Sequence, residues 1–497
     1  DPEGAERAIW IVSLAGGEPR KLSDGSSPSL SPAGDRLVFM QRGQIMSMTL
    51  EDEAEAARLF QARGGVGSLR WSPDGSQLAF VSSRGDHSFI GVFDLDTESL
   101  KYLDPSVDRD GSPVWSPDGR RIAYIRQPQV SGTVPFMARR EALPWSIRVA
   151  DVQSGMGREV WRADEGPGSV FRGVTASNQL LWGAGDHIVF PWEKDGWTHL
   201  YSVSADGGSA TLLTPGEFEV EDVVLAPDRS EIILSSNQDD IDRRHIWRVA
   251  VDGGRPRAIT SGTGSEWTPA VVDGGVAMLV ADAKVPAHAA IKQGSNDIRP
   301  MAPQTMPRDF PSDHLVEPQQ VIFSASDGMQ IHGQLFLPAN QRRGEQYPAV
   351  LFFHGGSRRQ MLLGWHYRGY YHNAYALNQY LASQGYVVLS VNYRSGIGYG
   401  MEFREAVNYG ARGASEFHDV MGAGLYLQSR ADVDPNRIGL WGGSYGGYLT
   451  ALGLARASDL FAAGVDVHGV HDWNFVIRNF MPSYNPAESA EIARLAF

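Results

Sequence analysis

The 497-residue chain contains no cysteine, which excludes disulfide bonds, thiolate metal ligands and a cysteine nucleophile. It also lacks long apolar runs, and the most apolar stretches, such as 349–353, are far too short to span a bilayer. Basic residues are in the minority: 44 Lys and Arg stand against 58 Asp and Glu, a net charge of −14 with no basic block. This balance argues against nucleic acid as a partner.

Glycine and aromatic residues, by contrast, are plentiful. The chain has 56 glycines, 13 tryptophans and 17 tyrosines, and 42% of its residues are hydrophobic. Such values are typical of a folded protein with many turns and aromatic strands. The length exceeds what one hydrophobic core usually serves, so we predict two or more domains.

A short motif repeats along the first half of the chain. The Trp-Ser-Pro-Asp-Gly run at 71–75 recurs at 115–119, with weaker copies at 30–34 and 225–228, and each copy precedes an apolar strand pattern. Ser31, Ser72 and Ser116 are spaced by 41 and 44 residues, the length of one four-stranded propeller blade. We therefore predict a β-propeller of about seven blades over residues 1–285. The motif itself indicates a turn rather than a chemical site.

Two further segments interrupt this pattern. Residues 127–145 carry three prolines and predict a long insertion in one blade unit. Residues 286–320 are also proline-rich with little apolar periodicity, which indicates a linker between domains.

In the second half of the chain, 321–497, the spacing of the apolar residues changes. Short apolar runs predict strands and alternate with helical patterns at 373–384, 414–429 and 448–455. Such alternation predicts an α/β domain built on a parallel sheet with helices on both faces.

A Gly-x-Ser-x-Gly motif lies in this second half. Residues 442–446 place Ser444 between a predicted strand at 437–441 and the helix at 448–455. That strand–turn–helix context is typical of a nucleophile elbow, whereas the alternative is a glycine-rich structural turn. Ser444 is therefore the candidate nucleophile, and the N–H of Tyr445 is a candidate oxyanion donor.

The second oxyanion donor is expected at the end of another strand. His354-Gly355-Gly356 follows the predicted strand 349–353, where glycine leaves a backbone N–H accessible. We expect this donor to come from Gly355 or Gly356, and we interpret His354 as a structural histidine.

With these motifs the chain resembles the prolyl oligopeptidase family of serine peptidases, especially its acylaminoacyl-peptidase and dipeptidyl-peptidase-like branch. The motifs that carry the resemblance are His354-Gly355-Gly356, Asn392-Tyr393-Arg394, Gly398-Tyr399-Gly400, Asp434-Pro435-Asn436-Arg437-Ile438, Gly442-x-Ser444-Tyr445-Gly446-Gly447-Tyr448 and, in the first half, Asp195-Gly196-Trp197-x-His199-Leu200-Tyr201. The resemblance implies a propeller followed by an α/β-hydrolase domain. It further implies a peptidase that cleaves short peptides admitted past the propeller. Ser357 departs from the proline that relatives commonly have there.

A serine nucleophile of this kind works with an acid and a histidine, which together form a catalytic triad. In this fold the acid and the histidine follow the serine, after later strands. Only one strand, at 461–467, is predicted after Ser444, so we expect the chain to be a fragment whose hydrolase domain is incomplete. We expect the family's Asp and His to lie beyond Phe497. His468 and His471, with Asp466 and Asp472, are near Ser444 in sequence, but the pattern favours structural roles for them.

Few residues in the sequence indicate which substrates the protein prefers. A peptidase acting on free N-termini needs a carboxylate for the ammonium group, and Glu141 in the inserted stretch is the candidate we name, the alternative being a solvated charge. No histidine spacing suits a metal and no phosphate-binding loop precedes a helix, so we expect no metal and no cofactor. The compartment, cytoplasmic or periplasmic and secreted, and homo-oligomerisation stay open.

These observations favour a serine peptidase that forms an acyl-enzyme on Ser444. Two alternatives remain: a carboxylesterase using the same serine, and a non-catalytic propeller module with a remnant hydrolase domain. The missing triad members favour the last for this chain, whereas the intact elbow opposes it.

Overall fold

A computed structural model describes residues 7–487 except 12–19, 52–54, 130–134, 177, 296, 304–305, 368, 413, 483 and 486. Residues 488–497, whose sequence also predicts a helix, lie outside the described residues. Antiparallel sheets come first along the chain, and a mostly parallel sheet with helices follows them.

The first region consists of sheets whose strands are adjacent in chain order. A two-stranded sheet of β1 (Ala8–Ile11) and β2 (Arg20–Asp24) precedes six four-stranded antiparallel sheets, of which two are joined into one eight-stranded sheet by the parallel pairing of Arg109 with Ser88. The strands of these six sheets are β3 (Ser26–Leu30), β4 (Arg36–Gln41), β5 (Gln44–Thr49), β6 (Ala57–Phe60); β7 (Gly65–Trp71), β8 (Gln77–Ser83), β9 (Ser88–Asp94), β10 (Ser99–Leu103); β11 (Arg109–Trp115), β12 (Arg121–Gln127), β13 (Ser146–Asp151), β14 (Gly157–Arg162); β15 (Leu181–Trp182), β16 (His187–Trp192), β17 (His199–Ser204), β18 (Thr211–Leu212); β19 (Val220–Leu225), β20 (Glu231–Ser236), β21 (His245–Ala250), β22 (Arg257–Ala258); and β23 (Ser265–Val272), β24 (Gly275–Ala281), β25 (His288–Gln293), β26 (Arg299–Pro300). The predicted propeller is thus confirmed, and the described residues form six four-stranded blades and the two-stranded sheet of β1 and β2.

The repeated motif joins successive blades. Within one copy, the Ser72 hydroxyl donates to Asp74 at 2.6 Å, which shapes the turn between β7 and β8. Trp71 Nε1 donates to Ser29 O in the preceding blade at 3.1 Å, and Trp115 Nε1 donates to Arg70 O at 3.0 Å. The copies at 71–75 and 115–119 therefore close their own turns and also bind the neighbouring blade.

The last blade extends into the segment that we predicted as a linker. Strand β25 pairs with β24, and β26 pairs with β25, so residues 288–293 and 299–300 belong to a sheet. The edge strand β26 has only two residues, which is too short to show an alternating apolar pattern in the sequence.

The second region is built on a six-stranded sheet of order β27-β28-β30-β29-β31-β32, in which the last four strands are parallel. Its strands are β27 (Gln319–Ser324), β28 (Gln330–Phe336), β29 (Tyr347–Phe353), β30 (Val387–Asn392), β31 (Val433–Gly443) and β32 (Ala463–Val467). The helices are α1 (Gly369–Ser383), α2 (Gly400–Arg404), α3 (Phe417–Gln428), α4 (Tyr445–Arg456) and α5 (Trp473–Phe480). The predicted strands and long helices are confirmed, whereas the short helices α2 and α5 were not predicted.

The two regions meet through buried polar groups. Arg404 of α2 binds the Glu193 carboxylate with both terminal nitrogens, at 2.5 and 2.6 Å, and both side chains are 3% exposed. The amides of Gly398 and Gly400 donate to Glu219 at 3.0 and 3.2 Å. The propeller thus supplies carboxylates at this contact, and the sheet region supplies the donors.

The insertion predicted at 127–145 crosses the same boundary. Phe136 packs against Trp473 and Phe480 of α5, with ring centroids 5.3 and 5.2 Å apart. Arg140 pairs with Glu402 at 2.7 Å. The insertion therefore reaches from the propeller onto the helix that follows the last strand.

Candidate active site

Ser444 lies at the sharp turn between β31 and α4. Its backbone has φ 55° and ψ −115°, a strained conformation for a residue other than glycine. The Ser444 N–H donates to Val467 O at 2.9 Å, which ties the turn to the end of β32. A strained backbone at this position is typical of a nucleophile elbow. The half-buried serine lies at the carboxyl edge of the sheet.

Glycines allow the turn to be this tight. A Cβ added at Gly446 would lie 1.9 Å from Phe353 O, and one added at Gly442 would lie 2.6 Å from the Gly446 carbonyl. Both contacts are far shorter than van der Waals distance and involve backbone atoms. The two glycines of the motif are therefore required for α4 to approach β29 and β31.

The glycine turn after β29 lies against the serine. A Cβ added at Gly355 would lie 3.3 Å from Ser444 Cβ and 2.8 Å from Gly443 O. The backbone N–H groups of Gly355, Gly356 and Tyr445 donate to no acceptor among the described residues. These amides are thus available to an anion formed beside Ser444.

A buried carboxylate holds the residue that follows the serine. The Tyr445 hydroxyl donates to Glu416, which also accepts from Ser395 Oγ at 3.1 Å and from the Gly410 N–H at 3.2 Å. Burial raises the pKa of Glu416, and these donated hydrogen bonds oppose that rise. Glu416 was not identified from the sequence, because a glutamate at the start of a helix has no signal that separates it from a surface residue.

His354 is not placed to act as a base. The ring is fully buried and stacks on Tyr393, with centroids 4.3 Å apart. Burial lowers the pKa of His354 to about 3, so the imidazole is neutral.

The other nearby histidines do not contact the serine either. His471 Nε2 pairs with Asp466 Oδ2 at 2.7 Å, and this histidine is 53% exposed. Asp466 also accepts from the Gly469 N–H at 2.8 Å. Within the described residues, no hydrogen bond joins the Ser444 hydroxyl to a histidine.

Glu141 lies on the insertion, next to Arg140, which binds the second region. Its side chain is exposed, and its carboxylate forms no hydrogen bond with a described residue. The structure therefore places Glu141 near the boundary of the two regions, and its role stays a prediction.

No group of three His, Asp or Glu side chains within the described ranges is arranged to hold a metal ion. None of the helices described for this chain combines the length and the apolar character that a bilayer crossing requires.

Comparison with known proteins agrees with this architecture. Residues 373–490 match the profile of the prolyl oligopeptidase family, and residues 139–286 match that of the dipeptidyl peptidase IV (DPP IV) N-terminal region. The chain is 33% identical over 166 residues to the uncharacterized peptidase YuxL of Bacillus subtilis, covering 33% of this chain and 24% of that protein. It is also 33% identical over 168 residues to human dipeptidyl peptidase 8, covering 34% of this chain and 18% of that protein. The matches thus span a quarter or less of these two curated relatives.

Among solved structures, a puromycin-hydrolyzing peptidase of Mycobacterium tuberculosis superposes with a TM-score of 0.73 at 19% identity. The match covers 95% of this chain and 75% of that one. At this identity the likeness concerns the fold, and it includes both the propeller and the sheet region. Residues 139–286 are thus similar to the DPP IV-type N-terminal region, and residues 373–490 match the α/β-hydrolase region of the prolyl oligopeptidase family.

Proposed function

We propose that the protein is a serine peptidase that cleaves short peptides through an acyl-enzyme on Ser444. The observation that carries the proposal is the convergence of a strained serine and three unbonded amides at one sheet edge. Structural glycine turns do not require this combination, whereas acyl transfer does.

In the proposed mechanism the Ser444 hydroxyl oxygen attacks the carbonyl carbon of the scissile peptide bond, and a general base takes its proton. The carbonyl oxygen becomes an oxyanion that accepts from the amides of Tyr445 and of Gly355 or Gly356. The peptide C–N bond then breaks, the amine leaves with the proton, and an ester to Ser444 remains. Water hydrolyses this ester in the second half of the reaction.

The general base is a separate part of the proposal. His354 is buried and neutral, and His471 is paired with Asp466 rather than with the serine. We propose that the base and its acid partner come from outside the described residues. A serine without a base is a weak nucleophile, so the described residues by themselves should support only slow acylation.

A fluorophosphonate probe tests the nucleophile and the base together. We expect weak labelling of the 497-residue chain, none of Ser444→Ala, and no effect of His471→Ala. Loss of labelling in His471→Ala would overturn the proposal on the base. A probe that never labels Ser444, even when the chain is extended with the C-terminal segment of a relative, would contradict the peptidase itself.

Substrate class needs its own assay. We propose that the propeller limits access to short peptides. A chromogenic peptide amide should be cleaved, whereas the same sequence held in a folded protein should not. Cleavage of simple esters without any cleavage of the amide would favour a carboxylesterase.

A further inference from the structure

Two neighbouring arginines follow the glycine turn and differ in their partners. Arg358 binds both oxygens of Glu405, at 2.9 and 2.8 Å, and also contacts the Tyr409 hydroxyl and the Arg404 carbonyl. Arg359 forms no ion pair with any carboxylate among the described residues; its Nε donates to Gly355 O at 3.1 Å. One arginine is thus part of the structure's ionic network, and the other carries an unbalanced charge.

Arg359 lies directly beside the proposed oxyanion site. Its guanidinium is 4.5 Å above the Tyr371 ring, and the Tyr371 hydroxyl donates to the same Gly355 carbonyl at 3.0 Å. A Cβ added at Gly356 would lie 3.7 Å from both Nε and Nη2 of Arg359. The stacked ring and the shared carbonyl hold the half-buried guanidinium next to the turn that contacts Ser444.

The carboxylates near this site are already occupied by other donors. Glu405 binds Arg358, and Glu416 accepts from Tyr445. Glu193 binds both terminal nitrogens of Arg404. A positive charge that no described carboxylate balances, in a chain of net charge −14, is suited to an anionic group from outside.

We infer that Arg359 binds a carboxylate of the peptide substrate next to the scissile bond, which makes it a specificity-determining residue. The inference rests on the proposed function, because it places the substrate at Ser444. The carboxylate has two sources in a peptide, the C-terminus or an aspartate or glutamate side chain. A guanidinium binds either with two parallel hydrogen bonds.

Binding to Ser444→Ala, measured by calorimetry, tests the inference without requiring turnover. The probes are N-acetyl-trialanine as the free acid and as its amide, and N-acetyl-Ala-Asp-Ala-amide with its asparagine counterpart. We expect the acid of at least one pair to bind about tenfold more tightly than its neutral partner. The pair that shows the difference identifies the source of the carboxylate.

Arg359→Gln, added to Ser444→Ala, should remove this difference while leaving the neutral probes unchanged. Arg359→Lys should retain part of it, because lysine keeps the charge but not the fork of donors. The matched control is Arg437→Gln, which removes an exposed charge on β31. It should leave the preference intact.

Equal weakening of acidic and neutral probes by Arg359→Gln would show that the arginine only supports the turn, and would overturn the inference. A preference for acids that persists in this variant would overturn it as well. If no probe binds but Ser444 is labelled by fluorophosphonate, the carboxylate inference fails and the proposed function stands. If labelling also fails, the proposed function fails with it.

Discussion

The propeller and the hydrolase region both contain strained residues, but they use the strain differently. In the propeller, Ser68, Ser112 and Thr268 have φ between 49° and 54°, each at a bulge in the first strand of its blade. In the hydrolase region Ser444 has a similar φ of 55°, but it occurs at a strand–helix turn beside unbonded amides. Repeated strain therefore follows from the architecture, whereas the chemical surroundings of Ser444 make it the candidate nucleophile.

The contact between the regions shows a second difference. The propeller contributes the carboxylates of Glu193, Glu219 and Asp242, and the hydrolase region contributes the Arg404 guanidinium, backbone amides and the Tyr399 hydroxyl. Because both sides are buried, neither can be left without its partner at low cost. The interface is thus specific to this pairing of regions, and substitutions in each region test the difference between them.

The largest effect is expected from removing one side of the buried ion pair. Arg404→Met leaves Glu193 buried without its partner and should lower the free energy of unfolding by about 3–5 kcal/mol. The control is Arg162→Met, which removes an arginine that also binds a glutamate through two nitrogens but is 54% exposed. That change should cost at most about 1 kcal/mol. Equal costs in denaturant titrations would contradict the buried interface.

Glycine substitutions should have different effects on stability and labelling at the Ser444 turn and in the propeller turns. Gly446→Ala places a methyl group 1.9 Å from Phe353 O, so we expect a loss of about 1–3 kcal/mol and of any fluorophosphonate labelling. Gly75→Ala meets only Pro32 at 3.6 Å, but its φ of +75° should cost about 1 kcal/mol. Labelling is expected to survive this second change. A labelled Gly446→Ala protein would show that the elbow tolerates side chains.

The buried His354 predicts a pH effect on the stability of the hydrolase region. The pKa of His354 is about 3 in the folded protein and about 6.5 when unfolded. Since only the unfolded chain takes up this proton, His354 lowers stability progressively as the pH falls from 6.5 towards 3.

His354→Phe should therefore gain about 1 kcal/mol relative to the unmodified protein between pH 6.5 and 5.5. Denaturant titrations at the two pH values measure this difference. The exposed His314, changed to Phe, serves as the control and should show no such gain. If the stability difference between His354→Phe and the unmodified protein were the same at both pH values, the pKa of the buried ring would not be lowered.

The smallest effects are expected in the repeated turns. Asp74 accepts from the Ser72 and Ser76 hydroxyls and from the Ser76 N–H, and Asp118 accepts in the same way from Ser116. Asp74→Ala and Asp118→Ala should each cost about 1 kcal/mol and should add when combined, because they lie in different blades. Thermal unfolding of the single and double variants checks this. A sum that departs strongly from additivity would indicate coupling between blades.

Much of the fold could be predicted because its signals are local. The propeller repeats its turn motif every 41–44 residues, and the hydrolase strands are buried apolar runs separated by helices. The last blade was misassigned to a linker because β26 has only two residues, one of them proline. Helix α5 was missed because it follows the last strand without a long apolar pattern.

The candidate site likewise contains residues that sequence motifs predict and residues that they do not. Ser444, Tyr445 and the Gly355–Gly356 turn follow from motifs, since the tight turn itself requires glycine at particular spacings. Local sequence patterns are therefore enough to predict the two kinds of sheet, the tight turn at Ser444 and the glycine turn beside it. The partners of the charged side chains became known from the folded chain alone: Glu416 accepts from Tyr445, Arg358 is ion-paired, Arg359 meets no carboxylate among the described residues, and the propeller's carboxylates meet Arg404. These properties depend on residues far apart in the chain, and a charged residue's partner is known only once folding has brought the two together.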